Sequence, residues 1–181
     1  MKNIFKILAV LFVSLTLVVT SCKKDEMLIE GCTDAAAMNY QSLATSDNGS
    51  CEFAYAIAQG QWNIETNCQE LTITVLTQSF EVPLNDMFPD TVQITGEGEG
   101  VVAMDINGNI ILADVASDGK VTIKEDQKIA LDTGVIGEVD VDITGSGTIE
   151  SASNGDLTLN LSFEIPLAGT QTSSCEISFT K

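Results

Sequence analysis

The stretch Leu157-Thr158-Leu159-Asn160-Leu161-Ser162-Phe163-Glu164-Ile165 puts an apolar side chain at every second position and a polar one between. Successive side chains of a β-strand point to opposite faces, so a period of two predicts a strand with one face buried and one in water. Val139, Val141 and Ile143, alternating with Asp140 and Asp142, repeat the pattern upstream. Shorter runs are Trp62 to Cys68, Leu71 to Leu76, Val92 to Ile94, Val101 to Ile106, Ile110 to Val115, Val121 to Lys124 and Glu176 to Phe179. Asn107-Gly108, Asp118-Gly119 and Asn154-Gly155 lie between them, and such pairs accept the positive φ of tight hairpin turns. Closely spaced strands and turns predict an all-β, antiparallel meander over residues 60–181, closing as a small barrel or packing as a β-sandwich. No stretch of it carries a helical period with caps.

The cysteines give a second handle on this domain. Apart from Cys22 there are four, Cys32, Cys51, Cys68 and Cys175. An even number in an exported chain predicts two disulfides with three connectivities open, and sequence separation favours Cys32–Cys51 and Cys68–Cys175. Cys68 shares parity with Trp62 and Ile64, and Cys175 with Ile177 and Phe179, so both sulfurs are expected on the core side. A sandwich would let them bridge two sheets; a barrel would set the first and last strands side by side. No pair has the Cys-x-x-Cys spacing of redox or zinc-ribbon sites.

Composition excludes several functions. The chain has 181 residues, 26 acids and 8 lysines, no arginine and no histidine, for a formal charge of −18. Nucleic-acid and phosphate grooves depend on cationic side chains, so no nucleic-acid partner is expected. Without histidine there is no Ser-His-Asp triad and no His-ligated zinc.

The N-terminus reads as an address. Lys2 and Lys6 precede an apolar run from Ile7 to Val19, too short for a membrane-spanning helix of about 20 residues but suited to a signal-peptide core. Val19-Thr20-Ser21-Cys22 then resembles the lipobox of bacterial lipoproteins. That resemblance implies cleavage of residues 1–21 as a signal peptide. It also implies a diacylglycerol on Cys22 and acylation of the new N-terminus, so that the acyl chains make the membrane a partner. The remaining 160 residues would carry 26 acids against 6 lysines. Lys23-Lys24-Asp25-Glu26 resembles the export signal of surface lipoproteins in Bacteroidetes, which implies an outer-membrane, lipid-anchored and cell-surface location. Residues 22–30 have little to bury and are expected to act as a flexible tether. An acidic domain is repelled by anionic headgroups and should stand off the bilayer.

Residues 31–53 read as a separate small module. A core of Ala36, Met38, Tyr40 and Ala44 is too small to stand without a staple, and Cys32–Cys51 provides one. Asp47-Asn48-Gly49 is a turn signal. Gly31-Cys32-Thr33-Asp34, Asn39-Tyr40 and Asn48-Gly49-Ser50-Cys51-Glu52 resemble a short module of exported Bacteroidetes proteins, with Ala35 where that module has proline. Asp34, Asn39, Asp47 and Asn48 are the oxygen ligands available for a weak calcium site, with backbone carbonyls and waters completing the six to eight oxygens Ca²⁺ takes. The alternative role for these side chains is turns and caps around the disulfide. No other cofactor is expected.

Gly60-Gln61-Trp62 resembles the Gly-x-Trp that opens lipocalin-like domains, whose Trp plugs the barrel base; the arginine that usually packs over it is missing here. Chemistry elsewhere is sparse. Asp140/Asp142 and Glu97/Glu99 are carboxylate pairs, but they sit on a solvent face, which lacks the burial that makes one carboxylic acid a proton donor. Gly96-Glu97-Gly98-Glu99-Gly100 has acids where a phosphate loop needs donors, and reads as a bulge. Asp90-Thr91-Val92 resembles the O-glycosylation sites of Bacteroidetes secreted proteins, with Thr91 the acceptor. The expectation is therefore no enzyme, but a membrane-anchored lipoprotein whose β-domain serves binding or envelope structure. A lipocalin-like carrier of a small apolar ligand and a calcium-dependent adhesion module with an extracellular partner are the alternatives.

Overall fold

The computed structural model describes residues 27–75, 77–134, 137–165 and 168–181. The expected signal peptide, residues 1–21, and the expected lipidation site Cys22 lie outside the described residues. A pair of two-residue strands, β1 (Glu30–Gly31) and β2 (Ser46–Asp47), runs parallel in the module, and a short helix, α1 (Ala54–Ala58), leads into the β-domain. There follow β3 (Gly60–Cys68), β4 (Leu71–Val75), β5 (Gln78–Val82), a 3₁₀ turn (Leu84–Met87), β6 (Thr91–Gly98) and β7 (Val101–Ile106). The rest are β8 (Asn109–Val115), β9 (Lys120–Ile123), β10 (Gln127–Asp132), β11 (Glu138–Ile149), β12 (Asn154–Ile165) and β13 (Gly169–Thr180).

The domain is a closed antiparallel barrel of eight strands, ordered β3-β6-β7-β8-β9-β11-β12-β13 and back to β3. Closure excludes the sandwich. It also makes the long disulfide a link between ring neighbours, with Cys68 directly opposite Cys175 on β3 and β13. Cys175 is fully buried and Cys68 half-buried. The alternation of Leu157 to Ile165 holds along β12: Leu157, Leu159, Leu161, Phe163 and Ile165 are buried. Burying each such side chain contributes about 1.5–3 kcal/mol. The β4–β5 hairpin and the 3₁₀ turn fold back so that Leu71, Ile73, Val82 and Leu84 join the same core. The Asn85 side chain accepts the Cys68 N–H there, at 2.8 Å.

Two local features depart from the strand pattern. At Asn107-Gly108 both residues have positive φ, as a two-residue hairpin requires. Asn154-Gly155, by contrast, is not the turn. Both residues belong to β12, opposite Thr180 and Phe179, and the reversal is made by Ser151 to Ser153. Ser151 Oγ accepts the N–H groups of Ser153 and Asn154, so a serine hydroxyl supplies the turn's acceptor and no positive φ is needed. The second departure is β10, which the alternation did not single out. β9 and β10 both pair with β11, one after the other, with Asp126 at φ 59° between them. Opposite β10 the wall is completed by side-chain amides: Leu112 N–H donates to Gln127 Oε1 (3.0 Å) and Ala130 N–H to Asn109 Oδ1 (3.1 Å).

On β11 the inward positions 145 and 147 are glycine. A Cβ at Gly147 would lie 2.0 Å from the Asp156 carbonyl oxygen and 2.6 Å from Leu157 Cα. Those are backbone atoms of the paired strand, which cannot retreat without breaking the ladder. Gly147→Ala is therefore expected to destabilise the barrel by about 1–3 kcal/mol, the usual range for overpacking. Chemical denaturation checks this; an unchanged midpoint would contradict the close approach.

Candidate functional site

The barrel base, where β3 begins, gathers the features closest to a site. Gly60 has φ +116°, a conformation that excludes most side chains, and it turns the chain from α1 into β3. Two residues on, Trp62 is buried in the base, its Nε1–H donating to the Ala58 carbonyl at 2.7 Å and its ring meeting Phe179 edge-on at 6.2 Å. The cation that the sequence lacked as arginine is Lys181. Its Nζ stands 4.2 Å from the Trp62 ring centroid and donates to the carbonyls of Ile57 (2.8 Å) and Gln59 (2.9 Å). Burial holds this ammonium's pKa below the usual lysine value. Cation and ring attract through the ring quadrupole, so Lys181 fastens α1 across the base. No local signal marks it, because the residue follows the last strand and finds its ring only once the barrel has closed.

Tyr55 and Gln59 complete the closure and were likewise missed. Tyr55 OH accepts the Gly98 N–H at 2.8 Å, and a Cβ at Gly96 would collide with Tyr55 OH and the Gln59 amide. The register shifts between Gly96 and Gly98, so the glycine-glutamate run is a β-bulge under the α1 side chains.

Among the described residues the apolar side chains of the core pack closely around one small gap. A gap lined by Trp62, Met104, Val115, Leu157 and Phe179, among others, leaves the centre of a water-sized sphere about 20 Å³. That is room for about one water, whereas a ligand pocket is typically about 300 Å³ or more. Among the described residues the buried polar ones are Thr133 and Ser173, and Ser173 Oγ donates to the Gln69 carbonyl.

In the module the disulfide joins Cys32 and Cys51. Its core differs from the expected one. Cys32 and Ala37 are buried and Met38 packs half-buried against the barrel core, while Ala36 and Tyr40 face solvent. The four oxygen-bearing candidates are engaged locally. Asp34 Oδ1 accepts Ala36 N–H, Asp47 Oδ1 accepts Gly49 N–H, and Asn48 Oδ1 accepts Ser50 N–H. Asn39 ties the ends together, its Oδ1 accepting Glu52 N–H and its Nδ2 donating to the Ser50 carbonyl. Among the described residues no three Asp, Glu, Cys or His side chains cluster as a metal site.

The remaining candidates are dispersed. Asp140, Asp142, Glu97 and Glu99 are exposed. Asp142 pairs with Lys128 at 2.8 Å, a hydrogen bond that raises the lysine's pKa. Lys120–Asp118 and Lys124–Asp114 are further surface pairs. All four described cysteines are oxidised. Thr91 opens β6, exposed opposite Asn63. No protein-family model matches the chain, and no curated protein is significantly similar to it.

Proposed function

We propose that the chain is an exported, lipid-anchored lipoprotein, held on the outer membrane through Cys22, whose barrel is non-catalytic and serves binding or envelope structure at the cell surface. The observation that carries the non-carrier part is the barrel interior, packed with aliphatic and aromatic side chains down to a gap of about 20 Å³. In a small barrel filled in this way side chains occupy the space a ligand would take, which supports binding by its outer surface. The anchor rests on the lipobox-like Val19-Thr20-Ser21-Cys22 and the short apolar run before it. The two disulfides accord with an oxidising compartment.

The test is expression of the full chain in a bacterium that matures lipoproteins. Wild type should float with the membrane fraction and Cys22→Ala should not, because acyl chains hold the protein by about 0.8 kcal/mol per buried CH₂. Solvent extraction of the purified wild type should release acyl chains only after the protein itself is hydrolysed. A stoichiometric apolar molecule released from folded protein would replace this reading with the carrier.

A further inference from the structure

Among the described residues, seven large hydrophobic side chains are well exposed, and six of them fall within residues 27–53: Met27, Leu28, Ile29, Tyr40, Leu43 and Phe53. The described residues of the barrel, a stretch several times longer, contribute only Ile110. Ile29, Tyr40 and Leu43 line one shallow hollow together with Gln41 and Ser42. Leu43 is 75 % exposed there.

This exposure is built in rather than frayed. Ile29 N–H donates to Thr45 Oγ1 (3.1 Å) and its carbonyl accepts Thr45 N–H (2.8 Å). Gln41 N–H donates to the Cys32 carbonyl at 2.9 Å, next to the disulfide. The loop that carries Tyr40 and Leu43 is thus fastened at both ends, and its apolar side chains are held outward.

We propose that this face of the module docks on the lipid bilayer, seating Ile29, Tyr40 and Leu43 at the headgroup–acyl boundary. The inference rests on the lipid-anchored reading above. Ile29 follows Cys22 by seven residues, so its backbone can lie at most about 25 Å from the acylated cysteine. A link this short makes docking intramolecular at an effective concentration of about millimolar, so a small apolar patch suffices. The chemistry selects the lipid. Residues 27–53 contain Glu30, Asp34, Asp47 and Glu52 and no lysine, which gives no attraction to anionic headgroups and points to a zwitterionic surface. Tyrosine favours the membrane interface because its ring is apolar and its hydroxyl stays wet. Met38 joins the module to the barrel core near Gly119, at the base, so docking would hold the acidic barrel off the surface on the module as a foot.

The test uses the full lipidated protein in phosphatidylcholine vesicles, with Leu43→Trp and Ile110→Trp compared against the wild type. Trp62, buried in the barrel, is the internal reference. With the face seated about 5–10 Å deep, lipids brominated on the acyl chains should lower the added Leu43→Trp emission by about half. The emission of Ile110→Trp and of the wild type should not change. Equal insensitivity of Leu43→Trp in protein that still floats with the vesicles overturns the docking and leaves the anchor standing. Protein that does not float overturns the anchor and the docking with it. A dimer of the Cys22→Ala chain in sedimentation, dissolved by Leu43→Glu, would assign the face to a second copy instead and so also overturn the bilayer assignment.

Discussion

Trp62→Ala is expected to destabilise the barrel by about 3–5 kcal/mol, the range for removing a buried aromatic ring. Several losses coincide. The ring is 1 % exposed, so its whole apolar surface leaves the core. The Ala58 carbonyl loses its 2.7 Å donor and Phe179 its edge-on partner. Lys181, already partly desolvated, loses the ring beneath it while its two carbonyl bonds remain. Small domains have about 5–15 kcal/mol in total, so the variant should sit near the edge of folding. Urea unfolding followed by circular dichroism measures this, since Trp62 is also the chain's one tryptophan. Trp62→Phe separates the contributions. It keeps a ring and forfeits the N–H bond, and should recover more than half of the loss. A cost below about 1 kcal/mol for alanine would contradict the role given to the base.

The second large effect concerns the Cys68–Cys175 bond. The two residues are 107 apart in sequence, and closing a loop of that length is worth about 4.7 kcal/mol in the chain-entropy model. The bond lies at the junction of first and last strands, where β13 pairs with β3 from Cys175↔Cys68 to Thr180↔Asn63. Cys68→Ala with Cys175→Ala should therefore lower the unfolding free energy of the whole barrel, by up to about 4.7 kcal/mol. Cys32–Cys51 spans only 19 residues and belongs to the module. Its removal should loosen residues 27–53 and leave most of the barrel's stability in place. Hydrogen exchange by mass spectrometry distinguishes the two patterns. Equal protection of the barrel with and without the long bond would contradict this division.

The sequence exposed those parts of the structure that depend on neighbours along the chain. Leu157 to Ile165 reads as a half-buried strand because the strand's own geometry sorts its side chains, and Asn107-Gly108 reads as a turn because its φ values are local. Period two reports which face a residue takes, not which strand lies beside it. Barrel and sandwich were therefore equal in pattern, and closure depends on Val121 meeting Gly147 across a register no local signal encodes. β10 was hidden by Lys128, Ala130 and Asp132, too mixed to stand out, and its wall is completed by amides of Asn109 and Gln127 that look like ordinary surface residues. At the base, Gly60 and Trp62 were legible as a pair, while Lys181 was not, since it is brought over the ring only by the full circuit of strands. In the module, the turn residues Asp34, Asp47 and Asn48 were legible as candidates for either cation or backbone. Their side-chain carbonyl and carboxylate oxygens meet N–H groups two residues ahead, contacts set by backbone angles rather than by residue type.

The proposed anchor at Cys22 underlies both the proposed cellular placement and the proposed docking of the module. Intact-mass analysis of the protein, extracted by detergent from membranes of the producing cell, addresses it. The predicted mass is that of a chain starting at Cys22, increased by a diacylglycerol and an amide-linked acyl group and reduced by the four hydrogens of two disulfides. A water-soluble product that retains Met1, or one that begins at Cys22 without acyl chains, would contradict it.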